Sequence, residues 1–447
     1  MGKNFVPKGF FGKSRRRKMN ERDAKFLEIE KEVNARGGDG EAVAEAYREL
    51  YACHDIRICE WLAGQFDSDI GGFYYSKSGR DNEYIEYKGK QYKTGPDIES
   101  TYQALSLLKN TGMISKFSDI PSWMAEKIKN FTCSLQDPDD GYIYHPQWKN
   151  QIADARRGRD LMWSNGIAAG LGFKMPYPTA NERLKAAAAN PDKREEMLSN
   201  MPEHLRSEAA FIKYLENMGW DEESGFGAYS AGNTLAAQAG MIGAAGLHEV
   251  GCRFLDSIQD KETGLWGGKN KSLYMAVNAI LKITAFYGAR AIPNAEKVAM
   301  ASMDAITTSE RNNTVCYQYN TWFSVCNVKA NLKKAGGEEN EALIRRIDEE
   351  MLRRAPECVM ATRRKAEPFR CEDGSYSYYW DKTCPVSQGA PVAFDNCKEG
   401  DINATNINGH GTLMYSLDAL GLRSFAPDLF GAQGYERFIS AIRTPSK

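Results

Sequence analysis

Five asparagines of this chain, Asn165, Asn233, Asn320, Asn403 and Asn406, sit in short polar clusters with hydroxyl, aromatic or acidic neighbours. Amides in that company suit a substrate that carries a carboxylate. In β-elimination on a uronic acid, the sugar carboxylate is first neutralised. A base then removes the C5 proton, and an acid protonates the leaving oxygen. Asn165 and Asn233 are expected as carboxylate neutralisers, Tyr319 or His145 as base and acid, and His410 as a further imidazole. Tyr144 and Tyr274 add phenols, while Asn320 and Asn403 add amides for binding. Arg156, Arg157 and Arg159 come just before Trp163 and could hold an anionic sugar. A pyranose presents C–H groups to an aromatic ring, so Trp163 and Trp322 are expected as stacking faces.

Hydrolysis is the alternative, and it needs two carboxyl groups flanking the scissile bond. Asp97, Glu99, Asp160, Glu399 and Asp401 are the carboxylates nearest the same clusters, with Glu99 and Asp401 expected against substrate. Each has a structural competitor. Asp97 stands where a helix N-cap would, and the asparagines can also cap helices. His145 fits a packed rim loop, and His410, between two glycines, fits a helix start.

These residues must be positioned by something, and the spacing predicts helices. Six polar clusters each precede or open a small-residue apolar run: 97–101, 162–165, 230–234, 270–274, 319–322 and 401–406. Glycine turns followed by an aromatic punctuate the series at Gly141, Gly264 and Gly374. Runs such as 98–108 with 123–135, 161–173, 271–286 with 295–306, 321–332 with 341–352, and 409–420 with 435–442 read as helix pairs. Tyr47, Leu50, Tyr51, His54, Ile58, Trp61 and Leu62 form one stripe of a single early helix, which makes His54 a core histidine. Aromatics from Phe73 to Tyr92 read as a short hairpin or loop, and residues 181–200 as a hydrophilic surface stretch. The expectation is an all-α fold, an (α/α)6-type toroid or barrel with long loops at one mouth. Residues 1–20 form a basic flexible arm and 21–447 a single domain.

Residues 136–142 and 259–266 resemble the Gln–Gly–Trp turns of the α/α-toroid superfamily, which includes terpenoid cyclases and protein prenyltransferases. The turn at Asp67 to Tyr75 is similar to the Gly-Gly-Phe turns of toroidal polysaccharide lyases and α/α-barrel glycosidases. The resemblance implies the fold over roughly residues 60–445. For chemistry it implies a lyase of the uronic-acid class, then a glycoside hydrolase, then a non-catalytic glycan-binding toroid or a cyclase-like enzyme. Asp137, Asp139 and Asp140 match the acidic string of class II terpene cyclases. They lie inside a turn, however, where Asp, Pro and Gly are turn formers.

Bulk properties narrow the partners. A net charge of −1 gives no global field for nucleic acid. The basic run Lys13 to Lys18 reads as a solvated tail. No apolar run is long enough for a membrane span. The ten cysteines are scattered without zinc-like spacing, so neither metal nor cofactor is expected, and the location is read as cytoplasmic.

Overall fold

The computed structural model describes residues 20–443, apart from 222–226, 268–271 and 396. The basic arm, Lys13 to Lys18 included, therefore lies outside the described residues but for Asn20. Helix dominates the remainder, as the apolar periodicity requires. The early helices are α1 (Glu21–Ala35), α2 (Gly40–Ala52), α3 (Ile58–Gly64), α4 (Lys77–Asp81), α5 (Ile98–Asn110) and α6 (Ser122–Ser134). Then come α7 (Asp154–Leu171), α8 (Ala180–Ala189), α9 (Pro191–Asn200), α10 (Glu208–Glu216), α11 (Gly227–Ala244) and α12 (His248–Ile258). The last are α13 (Leu273–Tyr287), α14 (Ala295–Thr307), α15 (Val315–Ala335), α16 (Glu338–Ala366), α17 (Ile402–Asn406), α18 (Thr412–Ala419) and α19 (Gly431–Arg443).

Six of these segments pack in a succession that returns to its start. Helix α5 lies against α7, α7 against α11, α11 against α13, and α13 against α15. Helix α15 lies against α18, and α17, just upstream of α18, packs back on α5. Helices α6, α12, α14 and α16 each pack on one or more of these and alternate with them along the chain. Small residues permit the close approach. A side chain at Gly232 on α11 would meet the Lys282 and Ile283 side chains of α13 at 3.1 Å. One apolar cluster runs from Phe26 to Phe438.

Strand is confined, among the described residues, to three two-stranded hairpins. They are Phe66–Asp67 with Gly72–Phe73, Tyr84–Tyr87 with Lys90–Lys93, and Val386–Ser387 with Ala390–Pro391. The second is the aromatic hairpin expected from the tyrosines. Several boundaries depart from the periodicity. The single early helix is two, because residues 53–57 turn the chain between α2 and α3. His54 there places Nδ1 3.4 Å from the Tyr376 hydroxyl. The hydrophilic surface stretch 181–200 is built as two short helices, α8 and α9. Helix α7 starts seven residues earlier than its apolar run at Leu161, so Arg156, Arg157 and Arg159 belong to its first turns.

The turns repeat in atomic detail. The backbone N–H of Gly71, Gly141 and Gly264 donates to the carbonyl of Asp67, Asp137 and Asp260, four residues earlier. Each aspartate side chain accepts from the backbone two and three residues on. Asp137 is therefore spent on an Asx-type turn. Gln136 donates to the Gly141 and Tyr177 carbonyls, and Gln259 donates to those of Gly264 and Pro293, at 2.8 to 3.3 Å. Each glutamine staples its turn to the next connection. Gln259→Ala leaves two carbonyls without their donor and is expected to cost about 2 kcal/mol in urea unfolding. A loss below about 0.5 kcal/mol would mean that other contacts hold the turn.

Candidate active site

The N-terminal turns of α5 and α7 meet in a dry ionic cluster. Arg156, fully buried, donates to Asp97 Oδ1 at 2.9 Å, Glu99 Oε2 at 2.9 Å, Asp160 Oδ1 at 2.8 Å and the Ser387 carbonyl at 3.1 Å. Arg156 and Asp160, four apart, share one face of α7. Ser387, on the hairpin that follows the long loop after α16, also donates its hydroxyl to Glu99. One guanidinium faces three carboxylates. Burial raises Glu99 and pushes Asp160 up to about 7, against the opposing pull of the Arg156 guanidinium.

His145 closes this cluster and is not free to do acid–base work. Its Nε2 accepts the Ile98 N–H at 3.0 Å, which places the proton on Nδ1, 3.6 Å from Asp160 Oδ2. Burial, then the charge of Arg156, lowers its pKa to about 3. As pH falls through about 6.5, the unfolded chain takes up a proton that folded His145 refuses, so stability drops. His145→Gln keeps an acceptor for Ile98. It is expected to shrink the stability lost between pH 7 and 5 by about 2 kcal/mol, measured by urea unfolding at both values. An unchanged loss would place the acid sensitivity elsewhere.

The other carboxylates near the clusters are also committed. Asp401 caps α17 through the Ala404 N–H at 2.7 Å and accepts from Thr383 at 2.6 Å, and burial raises it to about 7. Glu399 accepts from the Ser76 hydroxyl at 2.9 Å and the Ser78 N–H at 2.8 Å. Asp97 caps α5 through the Ser100 N–H. Capping and ion pairing thus account for Asp97, Glu99, Asp160 and Asp401, and hydrogen bonds to Ser76 and Ser78 account for Glu399.

Several expected binding residues are corrected by burial. Trp322 is fully buried and donates Nε1 to Thr362 at 2.8 Å, so it offers no face to a sugar. Trp163 is buried near the guanidinium of Arg156, 5.8 Å from its ring centroid. Tyr274 is buried, stacks on Tyr317 at 5.1 Å and accepts from Lys365. Asn320 donates to Asn278 across the α13–α15 contact. Tyr144 lies out in the Gln136 turn, donating to Asp140 at 2.7 Å. His410 is buried in a wide turn, Ile407–Gly411, between α17 and α18, with its pKa lowered to about 3. It sits inside a continuing helical path, not at a helix start.

What remains half-buried, with few or no side-chain partners, is a polar set on the succession of packed helices. The side chains of Asn165 on α7, Asn233 on α11 and Asn403 on α17 have no hydrogen-bond partner among the described residues. Arg159 on α7 forms no salt bridge among the described residues, but its charge acts on the Glu99 carboxylate and it lies 6.0 Å from the Trp163 ring centroid. Asn406 reaches Gln103 at 3.5 Å and leaves its carbonyl oxygen buried and unpaired. Tyr319 packs against Tyr415 and Phe323 at 5.1 and 5.3 Å, and burial, then Tyr415, holds its phenol well above the usual range.

Lys282 was not among the expected residues. It lies half-buried on α13 without an ion pair, and burial, then the charge of Arg159, lowers its amine to about 7. The signal was present: Lys282 is the sole charged residue of α13. Cys316 on α15 interacts electrostatically with Arg159 and Lys282, and its thiol lies 3.0 Å from the Tyr378 hydroxyl. Tyr229 on α11 feels both Arg159 and Cys316.

No group of His, Cys, Asp and Glu among the described residues could hold a metal ion. A surface cavity of about 790 Å³ lies between α10 and α12, lined by Glu208, Trp220, Arg253 and Phe254, away from the polar set. A second, of about 540 Å³, lies between the aromatic hairpin and the 379–395 loop. The chain matches no family model, no curated protein and no solved structure. No helix of the described residues is long and apolar enough to cross a membrane.

Proposed function

We propose that the protein is an α/α toroid that cleaves a uronic-acid-containing oligo- or polysaccharide by β-elimination. The returning succession α5, α7, α11, α13, α15, α17–α18 and the repeated Gln–Gly turns support the toroid. One observation carries the chemistry. Every candidate carboxylate is engaged by a cap, an ion pair or hydrogen bonds, while Arg159, Asn165, Asn233 and Asn403 are left with unspent side-chain donors. Such a set suits an anionic substrate and disfavours the two-carboxylate hydrolysis scheme.

Arg159 and the amides of Asn165 and Asn233 would neutralise the sugar carboxylate, which acidifies the adjacent C5–H. Tyr319 would protonate the leaving oxygen, since burial keeps its phenol protonated at every working pH. All ten cysteines are free thiols, which suits a reducing compartment and supports the cytoplasmic reading. Mass analysis of the products tests the scheme. Elimination leaves one fragment lighter by a water than its hydrolytic counterpart. Fragments that all carry the added water would replace this reading by hydrolysis.

A further inference from the structure

The cavity of about 540 Å³ between the aromatic hairpin and the 379–395 loop falls in the size range of small-ligand sites. Tyr87 and Lys88 line it from the hairpin, and Tyr379 and Val386 line it from the loop. Both of its walls are tied to the helices that carry the polar set. Tyr379 packs on Tyr378 with ring centroids 4.9 Å apart, and the Tyr378 hydroxyl lies 3.0 Å from Cys316 Sγ on α15. Val386 precedes Ser387, whose carbonyl accepts from Arg156 of α7 at 3.1 Å. We infer that this cavity is a distal subsite for a further pyranose unit of the acidic polysaccharide that is cleaved at the polar set. The inference rests on the lyase reading above.

The lining has the chemistry of a sugar site. Half-buried tyrosines on both walls suit the C–H faces of a pyranose. Around them stand charges of both signs, so hydroxyls can donate to carboxylates and accept from amines. Lys382 and Asp395 bond to each other at 2.9 Å. Lys88 and Glu86 form no salt bridge among the described residues. The Lys88 amine sits 5.3 Å from the Tyr87 ring centroid. A uronate unit laid on that tyrosine therefore brings its carboxylate to an unneutralised cation.

The backbone supports a role for this amine. Lys88 has φ 51° and Gly89 φ 71°, the left-handed pair of a two-residue hairpin turn. Asn-Gly is the favoured pair in such a turn, and a lysine there carries a conformational cost that asparagine avoids. What lysine adds is a cation at the cavity. The polysaccharide would run from the polar set past the Ser387 hairpin, and the enzyme would favour long chains over disaccharides.

Lys88→Asn tests this without threatening the fold, because Asn-Gly suits the turn better than Lys-Gly. In the full-length protein its KM for the polysaccharide is expected to rise at least about tenfold. Its kcat on that polymer and its KM for the disaccharide are expected to change less than about twofold. Binding is read separately in Tyr319→Phe, which lacks the proton donor for cleavage, by calorimetric titration with hexasaccharides of galacturonate, mannuronate and guluronate. Adding Lys88→Asn is expected to weaken binding of at least one of them at least about tenfold. Cleavage by the wild-type protein with an unchanged polymer KM in Lys88→Asn overturns the subsite alone. Hexasaccharide binding that Lys88→Asn weakens, without any double bond from the wild-type protein, keeps the cavity as a glycan site and overturns the lyase reading. Neither cleavage nor binding overturns both.

Discussion

Arg156→Met is expected to lower the unfolding free energy by about 3–5 kcal/mol at pH 8, enough to unfold much of a marginally stable chain. The side chain is fully buried and is, among the described residues, the one cation bonded to Asp97, Glu99 and Asp160. Removing it leaves carboxylates in a dry site with no compensating charge. The pH dependence is a stricter check than the magnitude. Burial raises the Glu99 and Asp160 carboxyls in the folded state, and without Arg156 nothing opposes it, so the folded state binds more protons than the unfolded chain. The variant's stability should therefore recover as pH falls toward 5 and decline as pH rises through the folded values. Urea unfolding at both pH values measures it. A loss below about 1 kcal/mol, or a deficit that grows on acidification, would show that the cluster is not what joins α5, α7 and the Ser387 hairpin.

Tyr319→Phe and Asn165→Ala are each expected to lower the elimination rate more than about a hundredfold while leaving unfolding nearly unchanged. Tyr319 keeps its ring against Phe323 and Tyr415 and gives up only its hydroxyl with the hydrogen bond to Tyr415, a loss of about 1 kcal/mol at most. Asn165 makes no hydrogen bond that its removal would break. The two should differ in kind. Loss of the phenol removes the proton donor and falls on kcat. Loss of the amide weakens the hold on the carboxylate, which is tighter in the transition state, and falls on kcat/KM with a rise in KM. Near-normal rates in both variants would remove this set from the chemistry.

The sequence made the scaffold more legible than the site. The turns could be read because Asp and Gly at fixed offsets have a local conformational reason, and Gln136 and Gln259 repeat the same bonds. Caps were legible too: Asp97 and Asp401 perform the structural role that competed with catalysis. The site depended on which face of each helix turned inward, and there the reading slipped. Trp322 falls on a stripe with Val315, Val325, Val328 and Leu332, all buried, so its periodicity already marked it as core. The ion pairing of Arg156 required the start of α7 at Asp154. An apolar run that begins at Leu161 hides that start behind Arg, Gly and Asp. Lys282 escaped because a lone lysine usually reaches solvent, and nothing local reveals that α7, α11 and α15 surround it. That fact is tertiary.

If the protein acts as proposed, it cleaves an anionic sugar by proton abstraction. The most direct measurement is ultraviolet absorbance of the purified protein mixed with a panel of uronic-acid polysaccharides and their oligosaccharides. A steady rise from the conjugated C4–C5 double bond with at least one of them is the predicted result. New reducing ends without that chromophore would contradict it, and would return the chemistry to the carboxylates of the Arg156 cluster.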